Sequence, residues 1–323
     1  MMDWTTPACR YFLRGFSPHV LLYTEMINAR AILRGDRRRL LTYDPDEHPV
    51  ALQLGGSEPA ELAAAARAGA ESGYDEINLN CGCPSDRVAS GAFGACLMLD
   101  PRRVADSVAA MVAVVRVPIT VKMRIGVIAG RGTAVRESVS GFTDADGEAL
   151  AGFIAGVRAA GVRAIIIHAR KAVLGGLSPK ENREVPPLRY DVVRAMKQRF
   201  PDLPVVLNGG LRDVAAVEQA LTWCDGVMLG REAYHRPWLL AQLHAALFAT
   251  PGESLPSRAA LLERMAGYAE RELGQGQRLP EITRHMLGLY AGEPGAREYR
   301  RRLSEGARAP EAGPDLLRHV AMV

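Results

Sequence analysis

Short runs of aliphatic and β-branched residues recur along most of the chain. Each closes on a polar or glycine-containing group and is followed by an Ala-, Leu- and Arg-rich stretch with helical spacing. The runs are Val20–Tyr23, Val50–Leu54, Glu76–Asn80, Ile119–Lys122, Ala164–His168, Val205–Asn208 and Gly226–Leu229. Runs of this kind predict strands in a parallel sheet, and the stretches between them are long enough to be crossover helices. Helices are predicted over Pro59–Ser72, Pro101–Val115, Asp146–Ala160 and Asp213–Thr222, with Asp100 and Asp213 as caps and Gly73 and Gly161 as stops. The pattern is that of a (β/α)8 TIM barrel whose first strand is not represented, and that strand would have to precede Met1.

The segment Ile125–Phe142 shows no period and reads as a long loop leaving a barrel strand. From about Leu239 the strand signals stop, and Arg258–Leu273, Glu281–Tyr290 and Ala296–Leu303 follow helical spacing. A barrel over residues 1–238 followed by an all-helical C-terminal domain over 239–323 is therefore expected, with Pro251, Gly252 and Pro256 in the seam.

Composition narrows the reading. With 323 residues, 48% hydrophobic and 24% charged, the chain is too apolar to be disordered and too long for one small domain. The balance of 40 Lys+Arg against 36 Asp+Glu leaves +4, compatible with a polyanionic partner without requiring one. Five cysteines, odd in number, unevenly spread and without a C-x-x-C pair, predict a reducing, cytoplasmic setting and no zinc site. No apolar run approaches the roughly 18 residues of a membrane span.

In a βα barrel the chemistry sits at the C-terminal ends of the strands. The polar residues there are Gln53, Asn78, Asn80, Lys122, Arg124, His168, Arg170, Asn208 and Arg231. One such residue alone is most simply a partner for a neighbouring loop; their succession along six strands predicts a site. Asn208-Gly209-Gly210 and Gly230-Arg231 close adjacent strands, where glycines let backbone N–H groups approach a phosphate. Lys122 and His168 can donate to an electron-rich ring such as a reduced flavin; the plain alternative for an inward Lys is an ion pair. In Asn80-Cys81-Gly82-Cys83-Pro84 the turn holds Cys83 at the rim, as a nucleophile or a general acid, or simply as a small turn residue. Cys9, Cys96 and Cys224 read as small buried hydrophobes.

The stretches LLYTEM (21–26), HPVALQLGGSEP (48–59), GYDEINLNCGCPSDRV (73–88), GAFGACLM (91–98), VKMRIG (121–126), HARKAVLGGLSPKENREVPPL (168–188), LNGG (207–210), DGVMLGREAY (225–234) and RHMLGLY with GAREYRRRLSE (284–305) resemble the tRNA-dihydrouridine synthases, particularly the A-type subfamily that acts on the D-loop. The resemblance implies bound FMN, NADPH or NADH as reductant, tRNA as partner, and reduction of the C5=C6 bond of uridine at position 20/20a. It makes Cys83 the proton donor and assigns Met1, Met2, Gln53, Lys122, His168, Asn208, Gly209, Gly210, Gly230 and Arg231 to the cofactor. Asn80, Lys180, Arg183, Arg297 and Arg300 fall to the tRNA. The chain departs from the family pattern where it begins at the methionines, in the extended loop at about 127–142, and at Cys81. Two other readings compete: an FMN barrel reducing a free pyrimidine or another enone, and a non-catalytic RNA-binding protein.

Overall fold

The computed structural model describes residues 1–85, 93–129, 139–253 and 255–320. Its strands are β1 (Leu22–Asn28), β2 (Val50–Gly55), β3 (Glu76–Cys81), β4 (Ile119–Arg124), β5 (Val127–Ala129), β6 (Ala164–His168), β7 (Ala172–Leu174), β8 (Val205–Asn208) and β9 (Gly226–Met228). Seven of them form one sheet in the order β1-β2-β3-β4-β6-β8-β9, every neighbour parallel. This is a TIM-barrel-like fold, and its seven strands are those the apolar runs predict. β5 and β7 pair separately, built from the loops that follow β4 and β6. The first of these loops was expected to be structureless; a three-residue strand carries no period by which to find it, and residues 130–138 of that segment lie outside the described residues.

Helices flank the strands because alternate strand residues are large and apolar. Leu52, Leu54, Ile77, Leu79, Val121, Met123, Ile165 and Ile167 are fully buried. The helix Pro59–Glu71 closes on this layer so tightly that a Cβ on Gly69 would stand 2.4 Å from Leu52 Cδ2 and 2.8 Å from Ile77 Cδ1. The other set of alternate positions, Glu76, Asn78 and Asn80 on β3 and Thr120, Lys122 and Arg124 on β4, shares the opposite face. Register sets Gln53 beside Asn78, Asn80 beside Lys122, and Arg124, His168 and Asn208 in one row. Period-two alternation thus makes a dry outer layer and a polar interior.

After Trp238–Leu247 come helices Arg258–Gly274, Leu279–Thr283, Ala296–Gly306 and Asp315–Val320. The helix expected over Glu281–Tyr290 is shorter: regular helix ends at Thr283 and turns carry the chain on. The N-terminal helix Pro7–Arg14 binds this region, with Tyr11 stacked on Tyr268 at 4.5 Å and Thr6 Oγ1 2.9 Å from His285 Nε2. One buried cluster continues through residue 238 into these helices. Among the described residues no helix is long and apolar enough to cross a membrane.

Candidate active site

A chain of side-chain hydrogen bonds runs up the interior of β2, β3 and β4. Thr120 Oγ1 donates to Glu76 Oε1 at 2.6 Å, and Asn78 Nδ2 donates to Thr120 Oγ1 at 2.8 Å. Gln53 Nε2 donates to Asn78 Oδ1, and Asn80 Nδ2 to Gln53 Oε1, each at 2.8 Å. Asn80 Oδ1 then accepts the backbone N–H groups of Gly82 and Cys83, both at 3.0 Å. The cysteine turn is therefore fixed by Asn80. Cys83 is half-buried, its Sγ 3.6 Å from Ser85 Oγ. Cys81, by contrast, lies wholly in the outer apolar layer, where burial pushes its thiol pKa up.

Cations crowd the mouth. Lys122 is pushed down to about 8, first by burial and then by Arg124, against an opposing pull from Cys83; no carboxylate acts on it. The ion-pair alternative for this lysine thus has no partner among the described residues. Burial is also the main cause that holds His168 neutral, well below the usual histidine value, with Arg124, Lys122, Arg170 and Arg231 adding to it. Burial is the first cause that lowers Arg170 and Arg183; Arg231 adds to it for both and Arg212 for Arg170, while Glu184 pulls both the other way. Arg231 is anchored by Glu184, Nη1 to Oε1 at 3.0 Å, and donates to the Arg183 carbonyl at 3.2 Å. The Nε of Arg183 is buried with no hydrogen-bond partner among the described residues. So many like charges around one opening cost energy unless an anion shares it.

The glycines supply the space. Gly209 and Gly210 have φ of +108° and +77°, and a Cβ on Gly209 would lie 2.6 Å from His168 Cδ2. Tyr190 OH donates to the Gly209 carbonyl at 2.5 Å, and Asn208 Nδ2 donates to the Met228 carbonyl at 2.7 Å, tying β8 to β9. Met1 Sδ is 3.7 Å from the Cβ position of Gly230, whereas Met2 is 53% exposed. A glycine-lined, cation-rich opening with an unpartnered guanidinium N–H fits the phosphate of a flavin nucleotide.

Several supporting residues left weaker traces in the sequence. Buried Asn182 ties down the loop after β7: its Oδ1 accepts Val173 N–H at 2.7 Å and its Nδ2 donates to the carbonyls of Val173 and Leu177. Arg124 donates to the carbonyls of Gly82 and Asn182, bridging the cysteine turn to that loop. Lys171 pairs with Asp146 at 2.9 Å. Glu76 and Thr120 could have been found from alternation alone, since each sits two residues from a polar position already singled out. Cys96 is half-buried rather than fully buried, because its Sγ reaches the Phe93 carbonyl at 3.0 Å near the surface.

The remaining expected residues lie outside the mouth. Lys180 is exposed, and Arg297 and Arg300 are exposed on the helix Ala296–Gly306. On that helix Arg301 pairs with Glu298 and Glu305, and Arg302 with Glu298. Arg297 and Arg300 have no such carboxylate partner among the described residues.

A parallel βα sheet presenting a thiol, a neutral imidazole and clustered cations at its C-terminal strand ends belongs to the class of barrel enzymes that do their chemistry there. The chain belongs to the dihydrouridine synthase (Dus) family, whose profile matches residues 1–322. It is a family of flavin-dependent oxidoreductases acting on CH–CH bonds. The chain is 53% identical to the tRNA-dihydrouridine(20/20a) synthase of Xanthomonas campestris pv. campestris over 99% of its length and 91% of the relative's. It is 53% identical to the protein of that name from Pseudomonas aeruginosa, over 94% of this chain and 87% of the other. The Synechocystis protein of that name is 50% identical, over 98% and 90%.

Proposed function

We propose that this protein reduces the C5=C6 bond of a D-loop uridine of tRNA, at position 20/20a, to dihydrouridine in the cytoplasm, with FMN as its bound cofactor and NADPH or NADH as reductant. The observation that carries the reading is the half-buried Cys83 thiol, held by Asn80 beside a cationic, glycine-lined mouth that suits an anionic cofactor. Reduced flavin, when bound, supplies the hydride that C6 of the uracil accepts. Cys83 holds the proton that C5 needs, as the general acid. Asn80 and Gln53 offer amide N–H groups to base and cofactor, and Lys122 and neutral His168 donate to the electron-rich edge of the ring. Gly209, Gly210, Gly230 and Arg231 serve the phosphate, with Asn208 holding their two turns together. Met1, beside the Gly230 turn, and the exposed Met2 next to it are given to the cofactor as well. The test is incubation of the purified protein with FMN, NADPH and unmodified tRNA, followed by mass-spectrometric mapping of dihydrouridine. Turnover of free uridine but not tRNA would favour the free-pyrimidine alternative.

A uridine inside folded tRNA must leave its stack to reach the mouth, which calls for a grip on the RNA elsewhere. Arg183 serves at the mouth, Lys180 on the exposed loop just before it, and Arg297 and Arg300 on the C-terminal helices. Since Arg301 and Arg302 are already neutralised by Glu298 and Glu305, the unpaired arginines are the ones free for phosphates. Arg297→Ala with Arg300→Ala is expected to weaken tRNA binding about tenfold or more. It should also shallow the plot of log affinity against log salt by about 1–2, roughly one per lost phosphate contact. Arg301→Ala with Arg302→Ala should change that slope little; the reverse ranking in filter-binding titrations would move the grip to the paired arginines.

Lys122 gives a pH dependence. With its folded value lowered to about 8, it is charged below that pH and neutral above it. FMN affinity is expected to fall as pH rises through about 8, with proton uptake on binding near that pH. Fluorescence titrations from pH 6.5 to 9.5 should show the decline, and Lys122→Met should flatten it.

A further inference from the structure

The interior hydrogen-bond chain has a direction, and both of its ends dictate it. At the top, the N–H groups of Gly82 and Cys83 require an acceptor, so Asn80 must turn Oδ1 toward them. Its Nδ2 is then left for Gln53 Oε1, which turns Gln53 Nε2 toward Asn78 Oδ1 and Asn78 Nδ2 toward Thr120 Oγ1. Having accepted from Asn78, the Thr120 hydroxyl donates onward to Glu76 Oε1. Glu76 stands at the N-terminal end of β3, the floor of the barrel, and Tyr23 OH donates to the same oxygen at 2.6 Å. A carboxylate accepts only, so every link above it has one permitted orientation.

We propose that Glu76 is a positioning residue for the reaction: from the barrel floor it fixes the orientation of the amides of Asn78, Gln53 and Asn80, and through Asn80 the turn that carries Cys83. The proposal rests on the function given above. Its consequence is specific. The chain commits one N–H of Gln53 and one of Asn80 and leaves each a second N–H for cofactor or base. A flipped amide would present a carbonyl oxygen there instead. Buried networks with every member satisfied hold one geometry, and loss of an end releases the rest.

The test compares Glu76→Leu, Glu76→Gln, Thr120→Val and the double variant Glu76→Leu/Thr120→Val as flavin-loaded full-length protein. The readouts are kcat per bound flavin, KM for tRNA, and hydrogen exchange of the Cys83 amide. Glu76→Leu and Thr120→Val should each lower kcat per bound flavin at least about tenfold with KM within about twofold, and should speed Cys83 amide exchange. Glu76→Gln keeps an acceptor oxygen for both donors and should recover kcat to within about threefold. The double variant should be no worse than the weaker single, because either change cuts the same chain. Three results would overturn the proposal: kcat per bound flavin within twofold of wild type in Glu76→Leu or Thr120→Val, Glu76→Gln as impaired as Glu76→Leu, or singles whose effects multiply. Should Glu76→Leu not fold, Thr120→Val carries the same prediction without touching the carboxylate. A wild-type protein inactive on tRNA would instead sink the functional reading, while the exchange rate of Cys83 would still report on the chain.

Discussion

Cys83→Ala is expected to lower dihydrouridine formation by about 10²–10⁴-fold, the range lost when a positioned general acid is removed, with FMN still bound. Cofactor retention follows from the geometry. Asn80 holds this turn by the backbone N–H groups of Gly82 and Cys83, and alanine keeps both. The cations and glycines assigned to the flavin are on β4, β6, β8 and β9 and the segments that follow them, so truncating one thiol leaves them in place. Flavin absorbance of the purified variant and single-turnover mapping of dihydrouridine check the two halves separately. Cys81 supplies the contrast. It is two residues away, fully buried in the outer layer, and its thiol is pushed up by desolvation. Cys81→Ala should therefore cost stability, about 1–2 kcal/mol as a small cavity, and leave the rate per bound flavin near wild type. Full activity in Cys83→Ala would remove the acid assignment and leave water or another side chain to protonate C5.

The seven strands of the sheet were legible because each is an apolar run ended by punctuation, and register then carried the polar strand ends to one opening. Gln53, Asn80, Lys122, His168 and Asn208 could be singled out one by one from their places at those ends. What the sequence could not show is how they are linked. Alternation places Thr120 and Glu76 on the inward face, but the hydrogen bond that joins them shows only once the partner strand is beside them. The anchoring of Arg231 by Glu184 spans 47 positions and depends on how the loop after β7 folds back. That loop is held by Asn182, an asparagine indistinguishable in sequence from any other turn residue. Likewise, the four arginines of the helix Ala296–Gly306 look alike as letters. Only the helix geometry separates Arg301 and Arg302, neutralised by Glu298 at i+3 and i+4 spacing, from Arg297 and Arg300.

Gly209→Ala is expected to remove FMN binding and to destabilise the protein as well, and the two losses have separate causes. At φ of +108° an L-residue is strained, at about 1–2 kcal/mol for the backbone alone. In addition the new methyl would lie 2.6 Å from His168 Cδ2, 2.9 Å from its Nε2 and 3.2 Å from Leu188 Cδ2. The half-buried His168 ring cannot yield without leaving the row it shares with Arg124 and Asn208, so overpacking adds about 1–3 kcal/mol. Two other glycines divide the effect. Gly276 has φ of +91° with no described residue within 4 Å of its Cβ position, so Gly276→Ala should show the backbone cost and leave FMN affinity unchanged. At Gly230 the nearest atom to the added Cβ is Met1 Sδ at 3.7 Å, an ordinary contact. Gly230→Ala should therefore fold without a packing clash and lose FMN affinity about tenfold or more, since no described residue stands close enough to object to the methyl but a bound phosphate would. Urea unfolding and FMN fluorescence titration of the three variants check this. If Gly230→Ala and Gly276→Ala bind FMN alike, the phosphate does not lie against the turn after β9. If Gly209→Ala keeps wild-type FMN affinity, it does not lie against the turn after β8 either.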